Sequence, residues 1–402
     1  MIKRTVSLLL SLALLVNGVQ PIHAADLVAI PQNVHLPTPP SSIQTRSSEL
    51  SFKSIETKVN NVLKSEKTQP KVAATYSGTC GTNVKWSLNT STGKLTISGS
   101  GAMWEYAVSN VPWKSYRSYI KTVVIENGVT FFSCNALRYC SRLTSVTIPA
   151  SVKTIETTSF CSCPRLTSIK VATNNPQFKS INGVLFNKAG TQLISYPGGK
   201  SGRYTIPSSV TSIGHNAFNG CTGLTSVTIP DSVISIGLYV FEDCTGLTSV
   251  NIPDSVTSIG SSAFRNCSGL TSITVDQANS NYKSIDGVLF NKAGTILIAC
   301  PAEKSGSYTI PSSVTTIYSY AFEGCSGLTS VTYEGTTDPD NGSSIFTNTQ
   351  VTKVNVPCEY KNLTFCGLDI KRRSCHTMRA IHLDRPFSFL RHLLNLFLLG
   401  KE

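Results

Sequence analysis

Between residues 221 and 270 the chain repeats one pattern of apolar and polar positions. Leu224, Val227 and Ile229 return 23 residues later as Leu247, Val250 and Ile252, and Leu270 opens a third copy after the same interval. The letters between them return too: Cys221-Thr-Gly-Leu224-Thr-Ser-Val227-Thr-Ile229-Pro230-Asp-Ser-Val233 becomes Cys244-Thr-Gly-Leu247-Thr-Ser-Val250-Asn-Ile252-Pro253-Asp-Ser-Val256. Each copy predicts a short strand whose Leu, Val and Ile point inward, then a turn and a second apolar pair such as Val233 and Ile236. A compact segment such as Ala217-Phe218-Asn-Gly-Cys221 closes the coil. One coil cannot bury this apolar face alone, whereas stacked coils bury it continuously.

The same template can be followed in both directions. Coils begin at residues 120, 143, 166, 201, 224, 247, 270, 305, 328 and 351, and the array ends near Pro357. Twice the period is interrupted. Phe178 to Pro197 carries Asn-Gly183-Val184-Leu185-Phe186-Asn-Lys-Ala-Gly190, and the same unit recurs from Tyr282 to Pro301, 104 residues on. Val184–Phe186 and Leu193–Tyr196 flank a glycine-containing turn, so each insert (about 174–200 and 278–304) is expected to be a hairpin projecting from the stack. The predicted fold class is a repeat solenoid. It is a leucine-rich-repeat, β-rich, right-handed superhelix with one parallel strand per coil, two inserted β-hairpins and an N-terminal β cap.

The flanks read differently. Residues 1–25 predict a signal peptide, with Lys3 and Arg4 before the apolar run Leu8 to Val16 and a small-residue site at Ala24-Ala25. Residues 26–75 read as an extended linker. Residues 76–119 alternate apolar and polar around a Thr90–Gly93 turn and carry Trp104, Tyr106, Trp113, Tyr116 and Tyr119. They are expected to cover the open end of the solenoid, 120–357, as an N-terminal β cap. Residues 358–402 read as a closing segment and a basic, apolar tail.

The repeat sentence, the Asn-Gly-Val-Leu-Phe-Asn-Lys inserts and the leader from Ser77-Gly-Thr-Cys80-Gly to Gly-Ala-Met103 together resemble the BspA-like leucine-rich-repeat surface proteins. The resemblance spans about residues 76–367, including Thr364-Phe365-Cys366-Gly367. It implies a surface protein of host-associated bacteria or parasitic protists, acting in adhesion to host proteins or to other microbes. No catalytic residues come with it.

Composition and charge narrow the function further. Charged residues are 14% and hydrophobic ones 40%, unlike a disordered chain. The net charge of +13 divides into +2 in residues 1–25, +5 in residues 371–402 and +6 over the long middle, read as spread without a cluster. A nucleic-acid groove would need a concentrated stripe, so none is expected.

Six of the thirteen cysteines hold one repeat position: Cys140, Cys163, Cys221, Cys244, Cys267 and Cys325. Stacked coils set equivalent Cα atoms about 4.8 Å apart with parallel side chains, whereas disulfides need Cβ atoms turned toward each other. A ladder of buried thiols is expected, with Cys134–Cys161 and Cys358–Cys366 as the better bridge candidates. Cys358, Cys366, Cys375, His376 and His382 are too irregularly spaced for zinc. His215 is the single histidine within the array, at a turn, and reads as a surface residue.

The polar positions of the strands remain. One outward row runs Ser145, Ser168, Arg203, Ser226, Ser249, Ser272, Ser307 and Ser330; the next runs Thr147, Lys170, Thr205, Thr228, Asn251, Thr274, Thr309, Thr332 and Asn355. The candidate binding residues are Ser226, Thr228, Ser249, Asn251, Ser272, Thr274, Thr309 and Thr332. The expected function is non-catalytic binding of host or microbial macromolecules at a cell surface or after secretion. The alternatives are a carbohydrate-binding module built on the aromatic cap, and a structural spacer. Partners are expected to be extracellular or cell-surface proteins and glycans, with no nucleic acid and membrane contact confined to the C-terminal tail. No cofactor, metal or catalytic residue is expected.

Overall fold

A computed structural model describes residues 74–374. The expected signal peptide, all but the last two residues of the linker, and the tail beyond Ser374 lie outside the described residues. Within them the chain is a β-solenoid of about ten turns, with one short 3-10 helix at Lys114–Tyr119 before the first coil.

Three walls enclose the core. The first holds the Leu-x-x-Val-x-Ile strands, ten of them from Thr122–Ile125 to Lys353–Val356. They stack in parallel with repeats in register: Ser226 faces Ser249 and Val227 faces Val250, then Ser249 faces Ser272 and Val250 faces Ile273. The alternation drives Val and Ile inward and Ser and Thr outward, as a one-face-buried strand requires. The second wall is a ladder of two-residue strands, where Ile213, Ile236 and Ile259 align. The third wall has no regular strand. Its backbone alternates through left-handed residues such as Asn216, Tyr239 and Asp243. Its amides still reach the next coil: Phe218 N–H donates to Val240 O at 2.9 Å and Phe241 N–H to Ala263 O at 2.8 Å. Behind those amides the rings of Phe218, Phe241 and Phe264 stack at 5.2 and 5.6 Å.

The inserts correct the sequence reading. Each is a three-stranded antiparallel meander, the first made of Phe178–Ile181, Val184–Asn187 and Gln192–Ser195. A two-residue Asn182-Gly183 turn joins the first pair, both residues at positive φ (52° and 81°), the geometry that favours an Asn-Gly hairpin. The second insert repeats this with Asp286-Gly287. The expected hairpin across Gly190 is present, but it does not project. Gln192–Ser195 continues in parallel into Ser212–Ile213, so the meander belongs to the second wall. Its side chains feed two cores. Leu185 and Ile194 pack into the N-terminal core, while Val184, Phe186, Leu193 and Tyr196 pack into the central one. Leu289 and Ile298 against Val288, Phe290 and Leu297 divide in the same manner between central and C-terminal cores. An apolar run without polar alternation is a strand buried on both faces.

The continuous interior expected from the repeat is therefore partitioned into three cores. Leu224, Leu247 and Leu270 share the central one. The first wall is divided at the same places into an N-terminal sheet ending at Ser168–Val171, a central sheet from Gly202–Thr205 to Ser272–Val275, and a C-terminal sheet from Gly306–Ile310.

At the N-terminal end Thr75–Thr79, Val84–Asn89 and Lys94–Gly99 pair antiparallel, and the last runs parallel to Thr122–Ile125, extending the first wall. Trp86 meets Trp113 edge-on at 5.8 Å, both buried over the first coil. No helix of the described residues is long and apolar enough to cross a membrane.

Candidate functional site

Most coils offer three polar positions along the first-wall strand, and they divide by what their side chains do. The first, the Thr after the inward Leu, is used for stacking. Thr144, Thr167, Thr248, Thr271 and Thr329 each donate Oγ1–H to a carbonyl one coil earlier, at 2.9 to 3.2 Å. Sequence reasoning passed over this row. Its signal was Thr at one register position in seven of the ten coils, broken by Lys121, Gly202 and Gly306; bonding to the preceding coil explains five of the seven.

The other two positions are the rows singled out as candidates. Ser226, Thr228, Ser249, Asn251, Ser272 and Thr274 come together on the four-stranded central sheet, while Thr309 and Thr332 lie opposite each other on the C-terminal sheet. The eight thus form two groups, because the second insert interrupts the wall. Thr228, Ser249, Asn251, Thr274 and Thr309 are exposed; Ser226, Ser272 and Thr332 are half-buried. Thr274 Oγ1–H donates to Asn251 Oδ1 at 2.9 Å across neighbouring strands. Among the described residues Ser226, Thr228, Ser249, Ser272, Thr309 and Thr332 make no side-chain hydrogen bond. With strands about 4.8 Å apart and alternate residues about 6.6 Å apart along each, the central sheet presents free hydroxyls at Ser226, Thr228, Ser249 and Ser272, interrupted by Arg203 and Asn251.

The aromatic residues of the cap divide between interior and surface. Trp113 is fully buried and donates Nε1–H to Ala136 O at 2.8 Å, and Tyr106 is buried with its hydroxyl on Cys80 O at 3.1 Å. Trp104 alone of this pair of tryptophans stands half in solvent, 48% exposed. His215 lies exposed at its turn and accepts the Leu238 N–H at Nδ1, 2.8 Å away.

The six repeat-position cysteines are buried free thiols, as the spacing argument required. They also hydrogen-bond in series. Cys163, Cys244 and Cys267 point Sγ at Leu137 O, Phe218 O and Phe241 O, at 3.0, 3.1 and 3.0 Å. Burial pushes Cys140 up to about 12 and raises Cys244 and Cys267 well above the usual thiol range. Thiols held neutral in this way are poor nucleophiles and poor metal ligands. Neither suggested bridge forms. Cys134 Sγ lies 3.2 Å from Tyr106 O and Cys161 Sγ 3.8 Å from Thr157 O, so the two are drawn to different carbonyls. Cys358 is disulfide-bonded, but Cys366 is free, its amide donating to Asp338 Oδ1 at 3.0 Å. Cys375, His376 and His382 lie outside the described residues, and among those described no three His, Cys, Asp or Glu side chains converge.

One reading of the charge was wrong. Residues 157–230 contain six Lys or Arg and no Asp or Glu, so the whole +6 of the middle sits on the first insert and its flanking coils.

No curated protein matches the chain significantly. Among solved structures, a leucine-rich repeat protein from Eubacterium ventriosum is 23% identical with a TM-score of 0.43, covering 73% of this chain and 76% of that one. A leucine rich cell surface protein from Faecalibacterium prausnitzii is 22% identical with a TM-score of 0.41, covering 77% and 97%. The pneumococcal vaccine antigen PcpA is 18% identical with a TM-score of 0.38, covering 76% and 89%. The BspA type leucine rich repeat region matches in six copies over residues 114–201, 200–300 and 300–365, and the chain belongs to that family.

Proposed function

We propose that this protein is a non-catalytic, secreted or cell-surface binder of other macromolecules, adhesion-type, and that the outward face of the central sheet is its contact surface. The observation that carries the reading is the division of labour between polar rows. Five of the Thr residues after the inward aliphatic, Thr144, Thr167, Thr248, Thr271 and Thr329, are committed to the stack, while the hydroxyls of Ser226, Thr228, Ser249 and Ser272 have no partner within the described residues. Each free hydroxyl contributes little to binding alone. Repetition on one rigid sheet lets many weak contacts act together, as multivalent attachment requires. Family membership and the description of one structural neighbour as a cell surface protein support the surface location.

The test is binding of the purified chain to immobilised extracellular-matrix and host-cell-surface preparations, measured by surface plasmon resonance. The triple variant Thr228→Asp, Asn251→Asp, Thr274→Asp places three carboxylates on the face. Saturable binding that the variant loses supports the proposal. Binding unchanged by the variant assigns the contact elsewhere, and the absence of saturable binding leaves a structural spacer.

A further inference from the structure

Where the first insert parts the N-terminal sheet from the central one, the surface holds a groove of about 500 Å³. Thr167 and Asn182 line it from the coil before and the insert turn; Lys200, Arg203 and Tyr204 line it from the approach to the central sheet, with buried Tyr196. Two features set it apart from the neutral hydroxyl face. The strand Gly202–Thr205 is the terminal strand of its sheet, paired on one side with Leu224–Thr228 and on the other with no strand. The side chains of Lys200 and Arg203 make no hydrogen bond or ion pair among the described residues. They sit in a stretch of 74 residues without a single carboxylate side chain, from 157 to 230.

The second insert supplies an internal comparison, because it repeats the same architecture 104 residues on. There Ser307 stands for Arg203, Glu303 for Gly199 and Asp286 for Asn182. The amine that corresponds to Lys200 is tied down: Lys304 Nζ donates to Asp286 O at 2.8 Å and lies 5.3 Å from the Tyr308 ring centre. Cations on a strand edge can serve merely to discourage unwanted pairing. That role would apply equally to both seams, yet the first carries two cations and no acid at these positions, while the second carries Lys304 alone beside Glu303 and Asp286.

We propose that the first seam takes an extended acidic peptide, laid along the open edge of Gly202–Thr205 with its carboxylates against Lys200 and Arg203. Backbone groups of the edge would supply a ladder of hydrogen bonds, and the cations would select sequence, the mode by which an added strand is recognised. The proposal goes beyond the hydroxyl-face reading and uses none of its residues, so either can fail without the other.

The experiment uses the full chain and a fluorescein-labelled decapeptide of alternating Glu and Val, followed by fluorescence anisotropy at low ionic strength. Saturable binding is expected, weakening as salt is raised. Lys200→Ala with Arg203→Ala should lower affinity at least about ten-fold. Lys304→Ala at the second seam should leave it within about two-fold. Charge reversal, K200E with R203E, should lose the Glu–Val peptide and gain its Lys–Val counterpart, which an unfolded variant would not do. Alternate N-methylation of the peptide should abolish binding. Equal binding by the K200A/R203A variant, or by the N-methylated peptide, overturns the proposal. So does tighter binding of a sulfated dextran fragment of equal charge, which would make the groove a polysaccharide site.

Discussion

Arg265 and Glu323 stand 58 residues apart, on opposite sides of the second insert, and meet with Nε 2.6 Å from Oε2. Arg265 Nη1 lies 2.9 Å from Glu242 Oε1 on the preceding coil, and its guanidinium lies 4.1 Å from the Tyr320 ring centre. The first wall breaks at the insert, yet this side chain carries the third wall across it.

Removing that bridge should be costly for a near-surface pair. Arg265→Ala removes the paired cation from Glu242 and Glu323, each with a side chain about one-tenth exposed, although Arg138 still acts on Glu242. Arg265 itself is 31% exposed, so solvent screens part of the effect. A loss of about 1–3 kcal/mol in urea denaturation is expected. A double-mutant cycle with Glu323→Gln should return a coupling of about 1 kcal/mol. Coupling near zero would show that the bridge is ornamental to stability.

Neighbouring residues on the partition should report on different cores. Leu185 packs into the N-terminal core and Phe186 into the central one, and both are fully buried. Leu185→Ala and Phe186→Ala should each cost about 2–5 kcal/mol through the cavities they leave. Native-state hydrogen exchange should then separate them. Leu185→Ala should speed exchange preferentially around Val146 and Ile169, and Phe186→Ala around Phe218 and Val227. Identical exchange maps would mean that one continuous core underlies both.

The buried thiols, Cys140 of the ladder with Cys80 and Cys161 outside it, predict loss of stability in alkali. Cys80, Cys140 and Cys161 are raised to about 12 in the folded chain, chiefly by burial, whereas an unfolded thiol ionises near 9. Above pH 9 the unfolded state therefore binds fewer protons than the folded one, and stability falls as pH rises towards 12. Each such thiol contributes a loss of about 1 kcal/mol per pH unit in that window. The urea midpoint at pH 10 should lie clearly below that at pH 8, and the decline should shrink in a variant carrying Cys140→Val. The buried thiols should also resist a disulfide reagent until the chain is denatured.

The two faces of the first wall should respond oppositely to substitution. Leu247 is fully buried in the central core, so Leu247→Ala should cost about 2–5 kcal/mol. Thr228 is exposed and makes no side-chain hydrogen bond among the described residues, so Thr228→Asp should change stability by about 1 kcal/mol or less. Thermal and urea unfolding of the two variants check this. A comparable loss from both would contradict the assignment of the faces.

Much of the fold could be read from residue letters because each coil is a local sentence. Leu224, Val227 and Ile229 name an inward face, and the interval of 23 places the next coil directly over the last. The thiol ladder followed from the same interval and from disulfide geometry. What escaped was what depends on two parts of the chain meeting. Val184-Leu185-Phe186 looked like a hairpin arm, since a short apolar run does not say whether one face or both will be covered. The Thr row looked like the other polar rows, since only a neighbour's carbonyl distinguishes a committed hydroxyl from a free one. The absence of carboxylates from residue 157 to residue 230 was open to view in the sequence, but its meaning needed the seam that gathers Lys200 and Arg203 into one groove.

The sequence by itself determined that the chain coils, how many times, and which side chains face inward, because period and alternation are local properties that stacking merely repeats. Tertiary structure alone decided that the interior is divided in three, that Arg265 reaches Glu323, and that Trp113 donates its indole N–H to Ala136 O. Each of these depends on which surfaces come together in space, and burial, unlike periodicity, belongs to a pair of surfaces.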